Sequence, residues 1–437
     1  MNADEVFNRY DVRGDWPEEI DEEFSRRLGR AYGTYAQREA HDTVVIGHDT
    51  REHSEEAADA FAEGVRSTGA SLVRVGLGTT DRVALAAEHY GGLGAMVTAS
   101  HHEWSRTGFK FLYEQGYGFG NEDLGEVKQL FREEDFATGE SHALDMEAEF
   151  DEEYVEAALS FLDDHGDAEG TVVLDCCNGG ASRLAPEIFE ELGFEVVTVN
   201  DATTGGGVDP EPDEDNRRSI KAAMEEHDAG MALGYDPDGD RVYAFHADEG
   251  GMDGNELFYL LGRLTEAETI AASIDTSDLI EELDAAVEYA RVGDVFVSAL
   301  GAEMDADLLG EPNGHYAVTE FCWYNSGILC SALLALHHDD LPALLDEVSA
   351  YTTERRVLHV ASSEEKDDAV QDAIKYAAKN FEVVSTIDGV KFTGDGFTAL
   401  VRPSGTSNKV RLIVNGTDAD RVAERADGLF DAMFGDY

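Results

Sequence analysis

Cysteine is scarce in this 437-residue chain: Cys176, Cys177, Cys322 and Cys330 are all there is, with no CxxC pair and no histidine at metal-ligand spacing. That excludes a disulfide or zinc framework and leads to the expectation of buried thiols in an intracellular, cytoplasmic protein. Basic residues are scarce as well, 32 Lys plus Arg against 93 Asp plus Glu, for a formal charge of −61. A field of that sign repels nucleic acid and anionic membranes, so neither is expected as a partner. The N-terminal string MNADEVFNRYDVRG has no basic n-region and no apolar h-region, and no secretory signal is expected from it. The longest apolar run, around Ile328 to Leu336, is too short to span a bilayer. A GxGxxG dinucleotide fingerprint is missing too, and Gly179 and Gly180 in TVVLDCCNGGAS read as a tight strand-to-helix turn.

What is present argues against disorder. The acidic residues are interleaved with regular apolar segments, and 42% of the chain is hydrophobic and 9% aromatic. The charge therefore reads as a solvated acidic surface of the halophilic type, suited to a high-salt medium. Short β-branched runs alternate with longer amphipathic segments, the mark of α/β layers. The expectation is three similar α/β domains with mixed sheets, at 1–147, 148–250 and 251–350. A smaller α+β domain at 351–437 follows, and the four surround a central cleft. Helices are expected over 54–68, 183–192, 255–264, 366–379 and 420–433.

Four separated strings carry chemistry. TASHHEWSRTGFK sets Ser100 at the end of an apolar strand, beside His101 and ahead of Lys110. A helix N-cap is the alternative reading of that serine. DPDGDR places Asp236, Asp238 and Asp240 at alternate positions of a tight loop, where three carboxylates converge on a hard cation such as Mg²⁺. In so acidic a chain this spacing also arises by chance. An EF-hand is excluded, because its sixth position would be Arg241 and its twelfth Ala247. GEPNGH offers Glu311, Asn313 and His315, a carboxylate, an amide and an imidazole suited to pairs of sugar hydroxyls, or alternatively a plain turn. RPSGTSNKVR is the most specific oxyanion signal, with hydroxyls at Ser404 and Thr406, backbone access at Gly405 and a fork at Arg402 for phosphate.

In order and spacing these strings resemble the α-D-phosphohexomutase superfamily, the phosphoglucomutases and phosphomannomutases, nearly end to end. TASH…GFK is similar to the family's TASHNP…NGxK, with His102, Glu103 and Thr107 in place of Asn, Pro and Asn. GEPNGH resembles GExSGH, with Asn313 for serine, and RPSGTSNKVR resembles RPSGTEPKxR, with Ser407 and Asn408 for Glu and Pro. FNRYDVRG resembles FxxYDIRG and would bring Tyr10 and Arg13 to the floor of the site.

The resemblance implies that Ser100 is carried as phosphoserine and serves as phosphoryl donor and metal ligand, with His101, Lys110, Arg241 and Arg13 as catalytic groups. It also implies one Mg²⁺ held with Asp236, Asp238 and Asp240, a sugar 1,6-bisphosphate activator, and a hexose phosphate substrate. A lysine expected in the third domain has no match; Ser298 stands there, and the sugar-phosphate contact is either lost or supplied by Arg291. Glucose, mannose and glucosamine phosphates are not separated by these motifs. A metal-dependent phosphatase or a non-catalytic sugar-phosphate sensor are the competing classes, and the joint presence of Ser100 and Lys110 argues for a mutase.

Overall fold

The computed structural model describes residues 3–210, 214–405, 407–435 and 437. Four sheets follow one another along the chain. The first contains β1 (Val12–Asp15), β2 (Thr43–His48), β3 (Ser71–Leu77), β4 (Leu93–Val97), β5 (Arg106–Leu112) and β6 (Ala143–Asp145), in the order β1-β5-β4-β2-β3-β6. The second has β7 (Thr171–Asp175), β8 (Glu195–Val199), β9 (Met231–Tyr235), β10 (Val242–His246) and β11 (Gly250–Met252), ordered β11-β10-β9-β7-β8. The third has β12 (Thr269–Ser273), β13 (Ala286–Ala290), β14 (Leu308–Glu311) and β15 (His315–Val318), ordered β13-β12-β14-β15.

The first three sheets share one plan. β3-β2-β4-β5, β8-β7-β9-β10 and β13-β12-β14-β15 each put the second strand beside the first, then the third and fourth. The first three strands of each set are parallel, and the fourth runs antiparallel to the third. Parallel strands are covered on both faces, which is why TVVIGH and TVVLD read as continuous apolar runs. The expected kinship of these units therefore appears as topology, where sequence identity is too weak to reveal it.

The fourth sheet, β16 (Thr352–His359), β17 (Glu382–Ser385), β18 (Val390–Gly394), β19 (Phe397–Pro403) and β20 (Lys409–Gly416), is antiparallel throughout. It is covered by the helices Ser363–Asn380 and Ala419–Phe434, whose N-caps Ser362 and Asp418 accept from Glu365 N and Arg421 N. The helix expected over 183–192 starts later, at Ala185, because Gly180–Ser182 form a 3-10 turn first. The apolar run at 328–336 is the helix Gly327–Leu336, buried on every side in the core that joins the first three sheets. Among the described residues no single helix is long and apolar enough to cross a membrane. All four cysteines are buried free thiols, as expected.

The fourth sheet and its helices have their own core. They meet the third unit through a small apolar contact, Ile274 with Leu400 and Ile413, and through the ion pairs Arg402–Asp275 and Lys391–Asp278. An attachment of three apolar side chains and two ion pairs favours relative motion over a rigid dock.

Candidate active site

The shared plan explains why the chemistry converges. The Ser100 string connects β4 to β5, DPDGD connects β9 to β10, and GEPNGH connects β14 to β15. Each is therefore the link from the third to the fourth strand of its unit, and the RPSG loop joins β19 to β20. Together they line a cleft of about 760 Å³ that gathers Ser100, His101, Lys110 and Arg241 with Glu311, Asn313 and His315. Tyr10 and Arg13 from the N-terminal segment, Arg291, and Arg402 and Gly405 from the fourth unit complete its walls. Thr406 lies outside the described residues.

Ser100 does not cap a helix; a short turn leads from it to β5. Its φ of 52° is left-handed, a conformation few non-glycine residues adopt and one that concentrates at functional positions. The hydroxyl lies 3.1 Å from Asp236 Oδ2 and 3.2 Å from His101 Nδ1. Burial, aided by the nearby charges of Arg241 and Arg13, pushes His101 down to about 2, so its imidazole is neutral. The same causes, burial first and then Arg13 and Arg106, lower His102 to about 4.

Asp236, Asp238 and Asp240 are fully buried, and one oxygen from each lies within 4.8 Å of the others. Gly239 makes the turn possible: its φ is +67°, and a Cβ there would meet Thr79 Cγ2 at 2.4 Å. Burial and the charges of Asp238 and Asp240 push Asp236 well above the carboxylate range. Asp240 goes the other way: despite burial, Lys110 and His315 hold it well below. Lys110 Nζ reaches Asp238 at 2.6 Å and Asp240 at 2.5 Å; burial disfavours its charge, and the two carboxylates overcome that and raise it. Among the described residues Asp238 Oδ1 is buried without a hydrogen-bond partner. An all-oxygen carboxylate set with an unsatisfied buried acceptor fits a hard divalent cation.

The second and third loops touch through an isolated bridge between Arg241 and His315. His315 Nε2 lies 3.2 Å from Asp240 Oδ1 and 3.1 Å from Arg241 Nε, and it serves one at a time: protonated it donates to Asp240, and neutral it accepts from Arg241. Burial opposes the charge, yet Asp240 outweighs it and raises His315 to about 9. We therefore take the donation to Asp240 as the relevant bond. Glu311 is held in place by Gly293 N at 2.7 Å and by contacts with Asn313 and His315. Ser298 does not stand in for the expected lysine: its hydroxyl donates to Asp294 O inside a helix, whereas Arg291 does line the cleft.

Arg402 is not a free fork. Its Nε lies 3.1 Å from Asp388 and its Nη1 3.2 Å from Asp275, so an incoming phosphate must share or displace two carboxylates. Ser404 is buried, and its hydroxyl accepts from Ser407 Oγ at 2.9 Å. A Cβ on Gly405 would meet nothing within 4 Å, so the space beside it is open to a ligand.

Sequence reasoning passed over one buried support. Arg51, in the HDTR string after β2, pairs with Asp49 at 3.0 Å and donates to the carbonyls of Ser100, His102 (2.8 Å), Glu103 (2.7 Å) and Arg106 (3.2 Å). Asp49 also accepts from Thr98 Oγ1 at 2.7 Å, and that oxygen accepts from Ser100 N at 2.8 Å. The conformation of the serine loop is thus written from a neighbouring strand end. The available signal was an Asp-x-Arg in the same unit as the serine.

Known proteins give the same layout. Models of the phosphoglucomutase/phosphomannomutase alpha/beta/alpha domains I, II and III match residues 4–138, 152–250 and 253–349, and the model of the C-terminal domain matches 358–432. A phosphoglucomutase/phosphomannomutase of Thermococcus kodakarensis is 29% identical over 442 residues, covering 96% of each chain. A phosphoglucosamine mutase of Caldicellulosiruptor bescii is 28% identical over 454 residues, covering 97% of each. The crystal structure of a phosphoglucomutase/phosphomannomutase family protein from Burkholderia thailandensis superposes with a TM-score of 0.87 at 24% identity, covering 99% of this chain and 98% of that one.

Proposed function

The chain belongs to the phosphoglucomutase/phosphomannomutase family of the α-D-phosphohexomutase superfamily, and on that premise we propose that it interconverts hexose 1-phosphate and hexose 6-phosphate, acting on glucose phosphate, mannose phosphate or both. Ser100 carries the exchanged phosphoryl group, and a sugar bisphosphate is the intermediate. The observation that carries this reading is the Ser100 hydroxyl, 3.1 Å from a buried carboxylate, facing the Arg402 loop across one cleft.

The O–P bond of phosphorylated Ser100 breaks as a sugar hydroxyl forms the new one, and that hydroxyl's proton must leave. Lys110 is held as an ammonium by Asp238 and Asp240, which suits it to neutralising charge on the moving group rather than taking the proton. His101 is neutral and beside Ser100 Oγ; burial and the charges of Arg241 and Arg13 make it a weak base in the free site, and it becomes able to accept the proton only beside the dianionic phosphoryl group, whose charge raises its proton affinity. Asp236, Asp238, Asp240 and a Ser100 oxygen would hold Mg²⁺, which when bound supplies electrophilic activation of the phosphoryl group. Glu311, Asn313 and His315 orient the sugar hydroxyls, with Tyr10 and Arg13 at the floor. Arg402, Ser404 and Gly405 grip the phosphate that is not reacting. The intermediate must turn end for end before the second transfer, so this grip recognises phosphate at either end of the sugar. A fourth domain, divided from the rest near residue 350 and attached by a small apolar contact and two ion pairs, can close to exclude water from the phosphoserine.

Glucosamine phosphate is the second reading, favoured by the Caldicellulosiruptor relative named phosphoglucosamine mutase. Turnover of glucose, mannose and glucosamine 1-phosphates, with the matching bisphosphate present, separates the two. Glucose or mannose 1-phosphate is expected to be fastest, and exclusive turnover of the glucosamine ester would select the second reading.

A further inference from the structure

Asp238 is held by two residues of another unit of the chain. Lys110 Nζ reaches its Oδ2 at 2.6 Å, and Thr80 Oγ1 donates to the same oxygen at 2.9 Å. Thr80 opens the helix Thr80–Tyr90 of the first unit and is fully buried. It grips Asp238 a second time, because its backbone N–H donates to the Asp238 carbonyl oxygen at 2.9 Å. One residue of the first unit therefore fixes both the main chain and the carboxylate of a residue in the second.

The start of that helix is itself anchored. Asp81 is fully buried, and its Oδ2 accepts from the Tyr154 hydroxyl at 2.6 Å and from Ser326 Oγ. Ser326 caps the helix Gly327–Leu336 of the third unit, and the Gly327 N–H donates to the Gly239 carbonyl oxygen at 3.0 Å. The DPDGD loop thus lies between two helix N-termini from two other units, which the Asp81 and Ser326 side chains tie together. Thr80 is a hydroxyl on a rigid mount.

The grip leaves the two oxygens of Asp238 unequal. Oδ2 takes both donors, while Oδ1 is buried and, among the described residues, without a partner. The terminal torsion of an aspartate is soft unless something holds it. Lys110 alone does not hold it, since an ammonium carries three rotatable donors and can bridge both oxygens. We propose that Thr80 is a positioning residue of the metal centre, holding Oδ2 beside Lys110 so that Oδ1 alone is offered to the divalent cation. This rests on the reading of Asp238 as a Mg²⁺ ligand. A single oxygen per carboxylate suits the octahedral shell that Mg²⁺ demands. Without the hydroxyl, Asp238 can turn and give Oδ1 to Lys110, and the ammonium then competes with the cation.

Thr80→Val removes the hydroxyl and keeps the branched shape and the backbone N–H, and Thr80→Ala removes it without pressing a methyl group on the carboxylate. Thr80→Ser keeps it. Mg²⁺ is titrated calorimetrically into the full, unphosphorylated chain of the parent and each variant. Affinity should fall by about 10- to 100-fold in Thr80→Val and Thr80→Ala, and stay within about twofold in Thr80→Ser. At saturating Mg²⁺ the mutase kcat of Thr80→Val should return to within about twofold of the parent, with hexose phosphate KM unchanged. Variants without the hydroxyl that melt lower in the absence of Mg²⁺ yet bind it as tightly as the parent would show a structural threonine only and overturn the proposal. An equal loss of affinity in Thr80→Ser would overturn it too, by assigning the effect to packing. A parent that binds no Mg²⁺ would overturn it together with the metal assignment beneath it.

Discussion

Lys110 Nζ lies 2.5 Å from Asp240 Oδ2, and the same ammonium reaches Asp238 at 2.6 Å. One lysine on β5 thus neutralises part of a carboxylate cluster contributed by a different sheet. Three buried acids with no cation at all would cost far more than the turn that holds them contributes.

Replacing Lys110 with Met should therefore destabilise the metal-free protein by about 3–5 kcal/mol, the cost of removing one partner from a buried pair. Mg²⁺ should raise the melting temperature of parent and variant alike, and the variant more, because its site has lost the cation that bridges Asp238 and Asp240. By mass action a concentration of 100 Kd adds about 2.7 kcal/mol. Scanning calorimetry across a Mg²⁺ series measures both effects. Melting temperatures indifferent to Mg²⁺ in both proteins would remove the metal from the account.

Arg51 acts on the nucleophile only through the backbone of its loop. Arg51→Lys keeps the charge beside Asp49 but cannot reach four carbonyls at once. We expect kcat to fall by about 100-fold, the order seen when a reacting group shifts by an ångström, with hexose phosphate KM nearly unchanged. A rise in KM at constant kcat would place Arg51 in substrate binding instead.

Arg402→Ala and Ser404→Ala should weaken hexose phosphate binding by about 1.5–3 kcal/mol each, the worth of a hydrogen bond to a charged group, while phosphoryl loading of Ser100 persists. Arg402→Ala should also lower the melting temperature, since it leaves Asp275 and Asp388 without their guanidinium, and Ser404→Ala should not. Unchanged substrate affinity in both variants would refute the distal phosphate grip.

The charge of −61 gives an expectation about salt. Closing four acidic units around an anionic sugar brings like charges together, and at about 1 M salt the Debye length shrinks to roughly 3 Å. Melting temperature and mutase rate should rise together from dilute buffer into molar KCl at fixed Mg²⁺. A protein fastest and most stable in dilute buffer would contradict the high-salt reading of its surface.

The strings around Ser100, Asp236, Glu311 and Arg402 were legible because each loop carries its donors within a few consecutive residues. That those loops meet could be inferred only from resemblance; the structure adds the reason, a strand plan used three times with the loop always between the third and fourth strands. Strand pairing leaves no periodic trace in sequence, so the plan could not be read there. Remote partners were hidden for the same reason. Asp275 and Asp388 occupy Arg402 from 127 and 14 residues away, and Arg51 supports Ser100 from 49 residues away. The lysine missing from the third unit left only a weak guess, which the structure divides between a helix-bound Ser298 and a cleft-lining Arg291.

The central claim is that Ser100 itself carries the phosphoryl group. Intact-protein mass spectrometry after incubation with a sugar 1,6-bisphosphate and Mg²⁺ tests it most directly. The account predicts one phosphoryl increment on the parent and none on Ser100→Ala, together with loss of mutase activity in that variant. A phosphoryl increment retained by Ser100→Ala, or full mutase activity without one, would contradict it.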